Sequence, residues 1–226
     1  MTKRFGRLWL APALLLCAMG ATNALAAPIY LNNSNITVAV GPNTAPGSFN
    51  NTFANGATID KVIDAPSADA SEIHNQTTHI WFTADQPDGA LELIFNFGEE
   101  YDVSTLHFWN YNGEGFDVDN IDFVFANGAG GQVGTLSVAP ALGSSPAIFA
   151  EDIALAAPLN VQFVTASLTG SNGSVDFQNI GFTAELSVPV DPTDPNPPAD
   201  VPEPGSVLLL ASGIVGLCLA RRRRLL

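Results

Sequence analysis

The chain has 226 residues, 46% of them hydrophobic and 13% charged, with 8 Lys and Arg against 22 Asp and Glu. That length suits one domain with added segments, and the apolar share excludes wholesale disorder. Lys61 is the one basic residue away from the two ends and 21 of the acids fall in residues 27–200, so that stretch stands at −20; such a surface repels phosphate backbones, which excludes nucleic-acid binding.

Lys3, Arg4 and Arg7 precede an apolar run from Leu8 to about Met19, and small residues then lead to Ala24-Leu25-Ala26. A positive start, a short apolar core and an exit marked by Ala24 and Ala26 are the parts of a secretory signal peptide. Residues 1–26 are read as that peptide, with cleavage after Ala26. Cys17 lies in its apolar core, and the bulky Leu16 before it argues against lipoprotein processing. The other cysteine is Cys218, so residues 27–200 offer no disulfide, zinc-thiolate site or cysteine nucleophile.

Residues 27–188 read as one all-β domain. Strands are predicted at 29–31, 36–40 and 80–83. At 91–97, Leu91, Leu93, Phe95 and Phe97 share one face, with Glu92 and Asn96 on the other. Further strands are predicted at 106–109, 121–125, 135–138, 161–168 and 181–188. Gly41-Pro42-Asn43, the 112–115 and 127–131 glycine clusters and Ser171-Asn172-Gly173-Ser174 punctuate them. Apolar residues nowhere repeat at helical spacing over a useful length. Short strands, Gly/Asn turns and 14 Phe predict a β-sandwich.

Candidate chemistry in this domain is sparse. Trp81, Tyr111 and Phe116 are candidate ligand-binding residues, because a flat aromatic face suits a sugar ring. Trp109, on a strand, is expected in the core. With one Lys and no Arg in the domain, a neutral glycan is the fitting sugar class. Asp117 and Asp119 are candidate oxygen ligands for calcium; EF-hand spacing is absent, and solvated acids on an exposed edge are the competing reading. His74 and His79 lack the glutamate of a zincin motif, and neither a nucleophile elbow nor a phosphate loop occurs. Glu99, Glu100, Glu114 and Glu151 would serve as glycosidase acids only if two of them met in space.

Residues 93–112 run through Phe95-Asn96-Phe97-Gly98, then Tyr101-Asp102-Val103-Ser104, into Trp109-Asn110-Tyr111-Asn112. This order resembles the discoidin-like, galactose-binding-like sandwiches, over about residues 50–186. The resemblance implies an eight-stranded jelly roll that commonly binds carbohydrate at loops on one end, often with a structural calcium. Two departures stand out. Lys61 follows Ala57-Thr58-Ile59-Asp60 where the family usually has glycine, and the arginine used by many family sites is missing.

Residues 189–200 are rich in Pro and Asp, which predicts an extended, semi-rigid linker. Residues 201–226 then combine Pro202-Glu203-Pro204, an apolar segment at 205–220 and the block Arg221, Arg222, Arg223 and Arg224. The apolar segment is read as a single membrane helix, with the arginines cytoplasmic. The triple resembles the PEP-CTERM sorting signal. It implies an exported protein of a Gram-negative bacterium, held transiently in the inner membrane. A transpeptidase, exosortase, would read Pro202, Glu203 and Pro204 and remove the tail.

The expectation is therefore an all-β jelly-roll sandwich with a signal peptide and one C-terminal membrane helix. Its expected role is that of a non-enzymatic binding or structural protein of the cell envelope, surface or matrix. The expected partners are an exosortase and a neutral extracellular polysaccharide, in an exopolysaccharide or biofilm setting. The alternatives are an extracellular glycan-acting enzyme and a calcium-dependent adhesion module.

Overall fold

Period-two patterning builds the longest strand among the described residues. The structure is a computed structural model that describes residues 27–49, 59–74 and 79–187. Strands β1 (Ile29–Leu31), β2 (Thr37–Val40) and β3 (Gly47–Phe49) come first, then a 3₁₀ turn at Ile59–Ile63. After β4 (Glu72–Ile73) and β5 (Ile80–Ala84) comes β6 (Leu91–Asn110), of 20 residues. β7 (Asn120–Ala126), β8 (Gln132–Val138), β9 (Ala147–Ile148), β10 (Glu151–Thr169) and β11 (Ser174–Leu186) complete the order, with a short 3₁₀ turn at Ser171–Gly173.

Residues 91–97 and 106–109, read separately from sequence, are two parts of β6. The join is Gly98, whose φ of 76° suits glycine and lets the strand bend without ending. Its amide donates to Asn96 Oδ1 at 2.8 Å. Opposite it, the β10 ladder shifts register between Val161 and Phe163. Both long strands thus turn the same corner and pass from one layer to the other.

On one side of that corner, β2 and the second half of β10 flank the first half of β6, and β7 and β8 follow outward. On the other side, β11 pairs with residues 101–110 of β6, and β5 and β1 pair with β11. The two layers meet on rings. Phe182 of β11 packs edge-on against Phe95 at 5.2 Å and Phe97 at 5.0 Å. Burying each such side chain contributes about 1.5–3 kcal/mol.

The outer face of β11 and β6 is also covered. Asn179 accepts the Ala65 amide at 3.0 Å and donates to Glu72 Oε1 at 3.0 Å. Trp109 is buried there with Ala65 and Ile148, its Nε1–H donating to Ala70 O at 2.8 Å. β4 pairs with β9 over this cluster, which sets His74, the residue after β4, at the end of β6.

Several expectations are corrected. The described residues form a nine-stranded sheet and a two-stranded ribbon, not an eight-stranded jelly roll. β10 starts ten residues before the predicted 161–168, and β11 starts at Ser174. The fold class with a membrane helix does not stand: among the described residues no helix is long and apolar enough to cross a membrane. The segment at 205–220 lies outside the described residues, and its 16 residues would rise only about 24 Å against a hydrocarbon core of about 30 Å. The transmembrane reading and the inner-membrane tether that depended on it are withdrawn. The signal peptide with Ala24 and Ala26, the linker and the sorting motif also lie outside the described residues.

Candidate functional site

Alternation along β5 aims the site. Ile80, Phe82 and Ala84 are buried in the core, so Trp81 and Thr83 face outward. Asp176 of β11 pairs directly with Trp81. Tyr111 follows the last residue of β6. These side chains, with His74, His79 and Phe116, line a cavity of about 440 Å³. Trp81, 30 residues before Tyr111 in sequence, thus meets Tyr111 and Phe116 in one place.

One buried amide fixes the far wall. Asn110 is 2% exposed, and its Oδ1 accepts the amides of Tyr111 at 2.9 Å and Val118 at 3.0 Å. Its Nδ2 donates to Val118 O at 3.0 Å and Ala141 O at 3.1 Å. Both donors and both acceptor positions are filled. The segment between Tyr111 and Val118 is closed into a loop that presents Phe116, whose carbonyl accepts the Asp176 amide at 2.8 Å. Phe116 itself is 56% exposed.

The polar side of the cavity is built from two imidazoles and a carboxylate. His79 stacks on Tyr111 at 5.5 Å and 14°, and His74 packs on Tyr111 at 4.7 Å and on His79 at 4.8 Å. His79 Nε2 lies 3.6 Å from Asp176 Oδ2, and the Tyr111 hydroxyl lies 3.4 Å from His74 Nε2. Burial, then the adjacent His79, holds His74 below its ordinary 6.5 against the pull of Asp176. Burial raises Asp176 above its ordinary 3.8, opposed by its hydrogen bond to His79. Burial also raises Tyr111, with Asp176 adding to the effect. The site therefore sets imidazole, carboxyl and hydroxyl groups beside aromatic faces.

The remaining candidates sit elsewhere. Asp117 is buried and its Oδ1 accepts the Gly115 amide at 3.1 Å, while Asp119 Oδ2 accepts the Ser171 hydroxyl at 2.8 Å. Both carboxylates anchor loops. Among the described residues no group of three or more His, Cys, Asp or Glu is placed to hold a metal ion. Among the described residues Asp176 is the one carboxylate lining the cavity. Glu100 accepts the Gly128 amide at 2.7 Å and Glu151 the Ala141 amide at 2.6 Å, each away from it. His107 has both ring nitrogens engaged, with Asp152 at 2.6 Å and Thr183 at 2.8 Å.

Sequence reasoning passed over Asp176 and Thr83 as site residues and weighed His74 and His79 only as metal ligands. The spacing of the two histidines was visible. Their meeting with Asp176 depends on the pairing of β5 with β11, which no local pattern announces.

Residues 200–224 match the PEP-CTERM protein-sorting motif. No curated protein matches the chain. Among solved structures, the family 32 carbohydrate-binding module of C. perfringens NanJ, in complex with galactose, is 11% identical. The match has a TM-score of 0.41 and covers 70% of this chain and 99% of that one. The lectin domain of lectinolysin, complexed with Lewis B antigen, gives 12% identity, TM-score 0.44, and coverage of 70% and 100%. An F5/8 type C domain from Bacteroides fragilis gives 12%, 0.45, and coverage of 70% and 97%. At these identities and TM-scores the similarities assign this chain neither a ligand nor site residues.

The perturbed imidazole has a stability consequence. Because the folded state holds His74 below its ordinary value, the unfolded chain takes up that proton first on acidification. Stability is thus lost as pH falls through 6.5 and below. Asp176, raised in the folded state, works in the opposite direction, gaining stability as pH falls toward its ordinary value. Melting temperatures of the wild type and His74→Gln between about pH 7.5 and about pH 5.5 isolate the first effect. The wild type should lose more on acidification than the variant; identical profiles would remove His74 as the cause.

Proposed function

We propose that this chain is an exported, non-enzymatic binding protein that holds a neutral glycan against Trp81, Tyr111 and Phe116. The observation that carries this reading is the convergence of those three aromatic residues on one cavity that also presents His74, His79, Thr83 and Asp176. Aromatic faces cover the apolar faces of a sugar ring, while imidazole, hydroxyl and carboxylate exchange hydrogen bonds with its hydroxyls. Among the described residues no Lys or Arg lines the cavity to recognise an anionic sugar. A single lining carboxylate also falls short of the acid pair used in most glycoside hydrolysis. The likeness of residues 93–112 to discoidin-like, galactose-binding-like sandwiches points the same way.

Export rests on the other end of the chain. The match at residues 200–224 supports processing by an exosortase at Pro202, Glu203 and Pro204, with Arg221 to Arg224 completing the signal. Cleavage of residues 1–26 after Ala26 belongs to the same proposal. A neutral exopolysaccharide of the surrounding matrix is the natural source of ligand for a protein sent outside the cell.

Two measurements test the two halves. A screen of the chain on immobilised neutral glycans should find a ligand whose affinity falls by about tenfold or more, ~1.4 kcal/mol, in Tyr111→Ala at unchanged melting temperature. Equal binding by the variant would move the site elsewhere. For sorting, replacing Pro202, Glu203 and Pro204 by alanine should leave the uncut chain as the main species in a host with an exosortase, read by mass spectrometry. Normal processing of that variant would contradict the assignment.

A further inference from the structure

Among the described residues, the four most exposed large apolar side chains are Ile73 at 72%, Phe149 at 58%, Phe116 at 56% and Leu142 at 44%. All four belong to segments that approach the end of β6. Ile73 precedes His74, whose ring packs on Tyr111. Phe116 lines the cavity. Gly143, next to Leu142, donates its amide to Tyr111 O at 2.8 Å. Phe149 and Leu142 line a second groove of about 190 Å³ together with Asn110, the chain neighbour of Tyr111. Consecutive residues of one strand end, Asn110 and Tyr111, thus line two different concavities. Apolar exposure concentrated in this way marks an interaction surface.

The second groove is preformed. Ala141 is held at both ends, its amide on Glu151 Oε2 at 2.6 Å and its carbonyl on Asn110 Nδ2 at 3.1 Å. The Ser144 hydroxyl donates to Ala147 O at 2.5 Å. A Cβ at Gly143 would fall 2.3 Å from Asn110 O, so the loop sits directly on the strand end and only glycine allows it. Among the described residues neither groove is lined by Lys or Arg, and the Glu151 carboxylate is already engaged.

We infer that the binding surface continues past Tyr111 into a second subsite formed by Leu142, Gly143 and Phe149, and that the occupant is an internal stretch of a neutral polysaccharide rather than a single terminal sugar. The inference rests on reading the larger cavity as a glycan site. Two grooves lined by consecutive residues of one strand end support a chain-like ligand. The lack of Lys and Arg among the described lining residues argues for a neutral one, and Phe149 supplies a further aromatic face for the next sugar.

Calorimetry on the full chain with galacto-, gluco- and manno-oligosaccharides, from monosaccharide to hexasaccharide, provides the test. In the series that binds, affinity should rise by about tenfold or more with length. Phe149→Ala and Leu142→Ala should each erase most of that gain while leaving monosaccharide affinity and melting temperature unchanged. Phe149→Tyr, which keeps the ring, should retain it. Affinity independent of length would overturn the second subsite while leaving the first cavity's role standing. A length gain that survives both alanine substitutions would overturn it as well, as would a Phe149-dependent dimer without any length gain. If no member of any series binds the wild type, the glycan reading itself falls, and the second subsite with it.

Discussion

The buried side-chain amide of Asn110 is the constraint from which the proposed binding surface follows. It joins three segments at once: the end of β6, the loop closed at Val118, and the segment that begins at Ala141. A buried amide with every donor and acceptor filled is worth keeping, because each unmade bond would cost about 1–3 kcal/mol. The same saturation leaves Asn110 nothing to offer a ligand. Its contribution is position: Tyr111 on one side, Phe116 on the second, Leu142 and Phe149 on the third. Surfaces held this way lose little entropy on binding.

The sandwich beneath makes that strand end possible. β6 and β10 pass through both layers, so the core around Phe95, Phe97 and Phe182 fixes where β6 terminates. The ribbon of β4 and β9 covers Trp109 and delivers His74 to Tyr111. Charge bears on the ligand proposed. The one Lys or Arg of the domain, Lys61, pairs with Asp64 at 2.8 Å and lies 3.8 Å from Glu72. An acidic surface around an aromatic cavity with no Lys or Arg among its described lining residues fits the proposed neutral polymer better than an anionic one.

What could be read in advance follows the reach of each physical signal. Alternation exposed 91–97 and 121–125 because the core residues of each fall on one face, the other carrying exposed or half-buried side chains except for the buried Glu92. It hid the unity of β6, since Gly98-Glu99-Glu100 has the composition of a turn while the backbone merely bends there. The first half of β10 was hidden by Ala156-Ala157-Pro158, poor strand formers that fall where the ladder with β6 shifts register between Ala154 and Leu159. β3, β4 and β9 are two or three residues long, too short for any period. Trp81, Tyr111 and Phe116 stood out as aromatic residues, the last two beside the 112–115 turn. Asp176 did not, because its partnership with Trp81 and His79 exists only through strand pairing. The apolar run at 205–220 invited a membrane helix that its length does not support.

Hydrogen exchange on Asn110→Asp tests the role of that amide most directly, because aspartate keeps the size and the acceptors but loses the donations to Val118 O and Ala141 O. Exchange should accelerate in residues 111–119 and 139–150 while 91–97 and 163–168 keep their protection. Unchanged exchange in both loops, or loss of protection across the whole sandwich at once, would contradict the account.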